Sequence, residues 1–230
     1  MNIDPRPYIV EERLAGVRRV VAVTGWKGGI GKTLASVTLA LILARRGFKT
    51  GLFDLDIGGT CCHVALGVSD VFPKEDKGLV PPEIRGVKFM TPAFFSENRA
   101  VPLRGGQISD AIIELFTITR WENLDFLILD MPPGINDAAL DVMRFIPRAE
   151  VLAMTTPSVM ARGVLERSLA MYRRLNLPVL GTIANMMAEG GGGIRRDPLL
   201  EEAVGDPDKI LKTDFAADLE REASVLLGGL

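Results

Sequence analysis

The chain predicts a three-layer α/β/α sandwich built on a mostly parallel sheet. Three observations predict it. Short β-branched and apolar runs alternate with longer segments of helical periodicity along all 230 residues, as in βαβ units whose strands are covered on both faces. Two of the runs, Thr50-Gly51-Leu52-Phe53-Asp54 and Asp125-Phe126-Leu127-Ile128-Leu129-Asp130, end in a carboxylate. A third, Val20-Val21-Ala22-Val23-Thr24, passes through a glycine loop into an apolar segment, Leu34 to Arg46, which stops at Gly47. Strand, glycine loop and helix in that order is the context of a phosphate-binding loop.

The loop reads Gly25-Trp26-Lys27-Gly28-Gly29-Ile30-Gly31-Lys32-Thr33. Its glycines let the backbone curl, so that N–H groups of Gly28, Gly29, Ile30, Gly31, Lys32 and Thr33 can cradle phosphates. Leu34 closes the same nucleotide-binding segment. The helix starting near Gly31 adds the positive end of its dipole. Lys32 is placed to reach the β- and γ-phosphates, and the Thr33 hydroxyl to ligate Mg²⁺. The strict pattern has Gly at the position of Trp26; here the glycine sits one residue earlier. Read blandly, the stretch is a turn joining strand to helix.

The chain is long enough for one large α/β domain with a substantial core. The expected organisation is an arm and short helix over 1–18 and a single phosphate-loop domain over 19–230. Hydrophobic content of 47% and charged content of 24% are ordinary for a soluble protein, and a net charge of -2 gives no sign of a general polyanion binder. The two cysteines are adjacent, which excludes a disulfide framework and fits a reducing compartment. No apolar run reaches membrane-spanning length, and the polar, Pro-punctuated start is unlike a secretory signal. A cytoplasmic protein is expected. Internal repeats are absent, and the one low-complexity tract is Gly190-Gly191-Gly192-Gly193.

In chain order, Met1 to Pro7 reads as a loose arm and Tyr8 to Val17 as a short helix on the sheet edge. Asp70 to Pro82, rich in Pro and charge, reads as a surface connection, Gly86 to Thr91 as a strand and Val101 to Gly106 as a loop. Gln107 to Phe116 places Ile108, Ala111, Ile112, Leu115 and Phe116 on one helical face. Ala149 to Thr155 and Val179 to Asn185 read as strands flanking a helix from Ser158 to Asn176, with Val159, Val164, Leu165, Leu169 and Tyr172 inward. Asp208 to Thr213 reads as a short edge strand, and Phe215 to Leu227 as a closing helix with Asp214 as candidate N-cap.

Asp54 and Asp56 stand at the end of a strand beside the phosphate loop, where a carboxylate can hold Mg²⁺ or orient a water. The bland alternative is a strand-end turn with helix-capping aspartates. The Asp125–Asp130 run matches a Walker B strand, with Asp130 holding Mg²⁺ through its water shell. After it, Pro132 and Pro133 stiffen a turn in which Gly134 lets backbone approach the γ-phosphate, a switch II arrangement. Cys61-Cys62-His63 offers three metal-capable side chains in a row, but adjacent side chains diverge, so one chain cannot give all three to one ion. Cys61 and Cys62 read as small buried hydrophobes; the sharper reading needs two subunits sharing a metal or cluster.

The stretch Lys27-Gly28-Gly29-Ile30-Gly31-Lys32-Thr33 resembles the deviant Walker A of the MinD/ParA/Mrp/nitrogenase-iron-protein superfamily. That resemblance implies that Lys27 reaches the partner's nucleotide across a dimer. It implies that Asp56 orients the attacking water, with Asp54 in support. Pro102-Leu103-Arg104-Gly105, Trp121-Glu122-Asn123-Leu124-Asp125, Asp130-Met131-Pro132-Pro133-Gly134-Ile135-Asn136-Asp137 and Leu177-Pro178-Val179-Leu180-Gly181-Thr182-Ile183-Ala184-Asn185-Met186 narrow the likeness to the Mrp/ApbC branch. The likeness covers roughly residues 13–187. It implies a nucleotide-sandwich homodimer that binds ATP and Mg²⁺, hydrolyses ATP slowly and carries iron–sulfur clusters to apoprotein clients. By the same likeness Asn185 bonds the adenine, and Thr213 and Asp214 lie where a second base-binding loop falls. The residue chemistry alone leaves GTP open.

One departure matters. Mrp-type carriers have a Cys-x-x-Cys soon after the segment matching Asn185-Met186, whereas here Met187-Ala188-Glu189 and the glycine run follow. Thiolates hold such clusters, so either Cys61 and Cys62 substitute or no cluster is carried. Two rivals stand beside the carrier: a ParA/MinD-like positioning ATPase, and a cargo-free regulatory switch. A membrane anchor would be a basic amphipathic C-terminal helix; this end has Asp214, Asp218, Glu220 and Glu222 against Arg221. Arginine pairs at 18–19, 45–46, 173–174 and 195–196 are dispersed, which argues against nucleic acid.

Overall fold

The computed structural model describes residues 4–95, 106–134 and 136–228. Its elements are α1 (Arg6–Leu14), β1 (Val17–Gly25), α2 (Lys32–Arg45), β2 (Thr50–Asp54), α3 (Cys62–Ala65), β3 (Lys74–Glu75), β4 (Leu79–Val80), β5 (Glu83–Ile84) and β6 (Val87–Met90). After a 3₁₀ turn at Pro92–Phe95 come α4 (Gly106–Ile118), β7 (Leu124–Asp130), α5 (Asp137–Phe145), β8 (Glu150–Thr155), α6 (Val159–Arg174) and β9 (Val179–Ala184). The chain then runs through α7 (Leu200–Ala203), α8 (Pro207–Ile210) and α9 (Asp214–Leu227). Among the described residues, seven strands form one sheet in the order β5-β6-β2-β7-β1-β8-β9, parallel throughout except for β5 against β6.

Alternation along the buried strands creates the three layers. On β1, Val21 and Val23 face a core shared with α2, α3, α8 and α9, while Val20 and Ala22 face one shared with α1, α4, α5 and Tyr172 of α6. Leu52 and Phe53 of β2, and Ile128 and Leu129 of β7, divide between the two faces in the same way. A strand covered on both sides needs apolar residues at every position, so these strands are continuous apolar runs. The sheet thereby brings the C-terminal ends of β2, β7 and β1 side by side: Asp54 is in register with Asp130, and Asp130 with Val23.

Several expectations change. Asp208 to Thr213 is not an edge strand. Pro207 opens the helix α8, and the Asp206 side chain caps it by accepting the N–H groups of Asp208 and Lys209 at 3.1 and 3.2 Å. Thr213, not Asp214, caps α9, its hydroxyl accepting the Ala216 N–H at 3.1 Å. Val159 stands exposed because it lies about 200° around α6 from Ala161, which with Ser168 and the expected Tyr172 forms the buried stripe. The 70–82 connection contains the β3–β4 ribbon. The loop expected over 101–106 lies, up to Gly105, outside the described residues, as does Ile135.

Candidate functional site

Asp130 gathers the site. It ends β7 fully buried, between β1 and β2. Lys32 Nζ donates to its Oδ1 at 2.6 Å, and Thr33 Oγ1 donates to its Oδ2 at 2.8 Å. Both donors come from the first turn of α2, directly after the glycine loop. Ser36, one turn further, lies with Oγ 2.8 Å from Asp130 Oδ1 and 3.0 Å from the Lys32 carbonyl, so its proton can serve either acceptor. The sequence reading missed Ser36; the signal was its position four residues after Lys32, on the same helical face.

Asp54 is the second buried carboxylate. Its Oδ1 accepts the Asp56 N–H at 3.2 Å, and its Oδ2 accepts the Cys62 N–H and the Thr91 hydroxyl, each at 3.3 Å. Thr91, which follows β6, was also missed, since only the β6–β2 pairing brings it there. Burial, reinforced by the negative charge of Asp130, pushes the Asp54 carboxyl up to about 7. Asp56 is half-buried just outside the sheet, and burial raises its carboxyl as well.

The glycine loop is shaped by two close approaches. A Cβ on Gly25 would fall 2.3 Å from Ile30 Cδ1, so this glycine lets Ile30 plug the core beneath the loop. Gly31 has φ +87° and would place a Cβ 2.3 Å from Asn185 Nδ2. Asn185 is buried, with its amide donating to the Ile30 carbonyl at 2.9 Å and its Oδ1 accepting the Met186 N–H at 2.8 Å. In this structure Asn185 therefore ties the end of β9 to the loop. Gly28, Gly29 and Lys27 are exposed at the loop's tip, and Lys27 Nζ lies 4.9 Å above the Trp26 ring centroid. Leu34 is half-buried against the α2-side core. The turn expected to act as switch II packs on β1 and this loop: Met131 N–H donates to Val23 O at 3.1 Å and Gly134 N–H to Gly25 O at 2.8 Å. Pro132 is buried there and Pro133 exposed.

The outlying residues separate. Thr213 spends its hydroxyl on α9 and on the Ile210 carbonyl at 2.7 Å. Asp214 borders a cavity of about 290 Å³ with Met187, Glu189, Arg195 and Asp197, just beyond Asn185. The cysteines point apart. Cys61 is exposed, whereas Cys62 is buried and aims its thiol at Asp130 Oδ2, 3.6 Å away. Of the two cysteines expected to be buried, only Cys62 is, because α3 turns it into the core beneath α2 and leaves Cys61 at the surface. Burial raises both thiols, Cys62 well above the usual range.

Chemically the pocket gathers oxygen donors, the Thr33 hydroxyl and the Asp54 and Asp130 carboxylates, with the Cys62 thiol beside them and one buried cation, Lys32. Hydroxyl and carboxylate oxygens are the donor types that suit Mg²⁺. Lys32, a point charge on a flexible stem, can leave Asp130 for a phosphate.

A family model described as ParA: NUBPL iron-transfer P-loop NTPase matches residues 16–190. The iron-sulfur cluster carrier protein of Pseudomonas fragi is 40% identical over 177 residues, 75% of this chain and 62% of that protein. That of Aquifex aeolicus is 32% identical over 185 residues, 79% of this chain and 51% of its own length. The chain thus spans about half to three fifths of the length of these curated relatives. Among solved structures, the nucleotide-binding protein of Archaeoglobus fulgidus in complex with ADP superposes with a TM-score of 0.69 at 30% identity, covering 78% of this chain and 71% of that one. The septum site-determining protein MinD of Pyrococcus horikoshii, complexed with Mg-ADP, shares the fold with a TM-score of 0.68 at 18% identity, over 92% of this chain and 98% of that one. With most of its length matched by that family model, the chain belongs to the ParA family of NUBPL-type iron-transfer P-loop NTPases.

Proposed function

We propose that this chain binds ATP with Mg²⁺, hydrolyses it slowly, and works as a nucleotide-switched homodimer in iron–sulfur cluster transfer to apoproteins. The observation that carries this reading is the convergence of Lys32, Thr33 and Ser36 on Asp130 directly behind the glycine loop. Mg²⁺, when bound, supplies charge neutralisation at the β- and γ-phosphates. Thr33 would hold it directly, and Asp130 and Asp54 through its water shell. Lys32 exchanges Asp130 for phosphate oxygens, and N–H groups from Gly28 to Thr33 cradle the same phosphates. Asp56, half-buried at the mouth of the pocket with its carboxyl raised by burial, orients the attacking water. Lys27, exposed beside Gly28 and Gly29, reaches a nucleotide held by the second subunit. Asn185 and Asp214 border the base.

The carrier role extends the names of the relatives to this chain. With Cys62 turned inward, a cluster shared by two subunits would rest on one Cys61 from each. Anaerobic reconstitution with iron and sulfide, counting iron per dimer, tests this. Stoichiometric iron with a cluster absorption band, lost in Cys61→Ala, is the expected result. An ATP-binding dimer that takes up no iron overturns the carrier role. The burial of Cys62 and the missing Cys-x-x-Cys favour one second reading, a cargo-free ATPase switch acting through a protein partner.

A further inference from the structure

Cys62 sits where the proposed magnesium chemistry has no use for it. Its Sγ, the Asp54 carboxylate and the Asp130 carboxylate come from three separate elements, α3, β2 and β7, and their ligand atoms all lie within 4.8 Å of one another, fully buried. The Cys62 Sγ to Asp130 Oδ2 distance is 3.6 Å. A tetrahedral ion with bonds of about 2.3 Å to sulfur and about 2.0 Å to oxygen sets its S···O edge at about 3.5 Å. The thiol and the carboxylate therefore already stand at the spacing of two ligands on one such ion.

Charge points the same way. Two buried carboxylates share a single ammonium, Lys32, whose Nζ is on Asp130 Oδ1 and leaves Oδ2 facing the sulfur. Among the described residues, that oxygen has only neutral donors, the Thr33 hydroxyl and the Cys62 thiol. A hard ion such as Mg²⁺ gains nothing from a thiol, whereas a soft or borderline one does.

We propose that Cys62, Asp54 and Asp130 form a mixed sulfur–oxygen site that takes a thiophilic divalent cation, of the Zn²⁺ or Co²⁺ class, in the nucleotide-free protein. On binding, the Cys62 S–H bond breaks, the metal–sulfur bond forms and the proton passes to the buffer; no electron moves. Rotation of the Asp54 carboxylate closes the third contact, and water fills the fourth position. The site overlaps the pocket assigned above to Mg²⁺, so soft metal and Mg-ATP compete, and the two states of the protein prefer different metals.

The test titrates the full chain, free of nucleotide and under reducing conditions, with Co²⁺ alone. The near-ultraviolet thiolate-to-cobalt charge-transfer band is the readout. The expected result is a band saturating at one cobalt per chain, kept in Cys61→Ser, absent in Cys62→Val, and absent in Cys62→Ser with at least about tenfold weaker binding. Circular dichroism confirms that each variant is folded. A band that survives in Cys62→Val, one lost only in Cys61→Ser, cobalt bound without a band, or no binding by folded wild type would each overturn the proposal. Binding of a fluorescent ATP analogue with Mg²⁺ is measured in parallel: its failure alone bears on the ATPase reading, and failure of the cobalt band alone bears on this site.

Discussion

Two regions of this protein bury carboxylates, and they do so to opposite ends. Asp218 of α9 is almost wholly buried, yet its Oδ2 accepts the Arg195 backbone N–H at 3.0 Å and Nε at 2.8 Å, while its Oδ1 accepts Arg221 at 2.7 Å. Burial works to raise its carboxyl, but the Arg195 and Arg221 bonds win and hold it down at about 2. At the ends of β2 and β7, Asp54 and Asp130 are as deeply buried but share the single cation Lys32, and Asp54 is pushed up to about 7. Charge that is fully answered fastens the 193–195 loop to α9. Charge left half-answered is what the proposed metal site would use, a metal supplying the second cation.

The largest effect expected is that of Lys32→Met. Removing the ammonium paired with Asp130, the one cation on this pair among the described residues, strands two buried carboxylates, so urea unfolding of the nucleotide-free protein at pH 8 should show a loss of about 3 kcal/mol. ATP affinity should fall by about 100-fold. The stability loss shrinks as pH is lowered through about 7 and Asp54 takes up its proton; a loss independent of pH would break the contrast between the regions.

Asp218→Asn comes next, with about 2 kcal/mol lost at pH 7. A carboxyl held below its ordinary value stabilises the fold above that value and ceases to do so as pH falls through its folded pKa. The gap between wild type and variant should therefore close between pH 3.8 and about 2. Asp54→Asn should act with the opposite sign, stabilising the metal-free protein by about 1 kcal/mol at pH 8 while abolishing hydrolysis. Here the folded pKa is raised, so the carboxyl's contribution is complete below 3.8 and is lost as pH rises through about 7. The variant's advantage should accordingly vanish toward pH 4. If both aspartates respond with the same sign, the distinction drawn between them fails.

Asn185→Ala gives the smallest effect. It removes one neutral tie between β9 and the glycine loop, at about 1 kcal/mol. Nucleotide affinity, read by titration calorimetry, should weaken a few-fold and far less than in Lys32→Met. An equal loss would move Asn185 from tying the loop to a main contact with the nucleotide.

Much of this was legible beforehand. Val20 to Thr24 and Phe126 to Leu129 read as strands because a strand covered on both faces must be apolar throughout. The glycine-loop and strand-end pattern singled out Lys32, Thr33 and Asp130 together, and the structure brings the three within hydrogen-bonding distance. The edge strand expected over 208–213 failed on capping chemistry that Asp206-Pro207 carries locally, and Asp214 gave way to Thr213 for the same reason.

What the sequence by itself determined is everything that depends on neighbours along the chain: the strand–loop–helix unit, the alternation that makes three layers, and the types of residue offered to phosphate and metal. Only the tertiary structure decided what those residues meet. Cys61 and Cys62 are adjacent in sequence, yet the α3 turn sends one to solvent and the other to Asp130. Asn185 meets Ile30 across 155 residues, and Thr91 meets Asp54 because β6 happens to pair with β2. Burial and the count of nearby charges depend on strand order, and strand order is a property of the packed sheet. The same residue type is consequently an ion-paired fastening at Asp218 and a carboxyl raised by burial at Asp54.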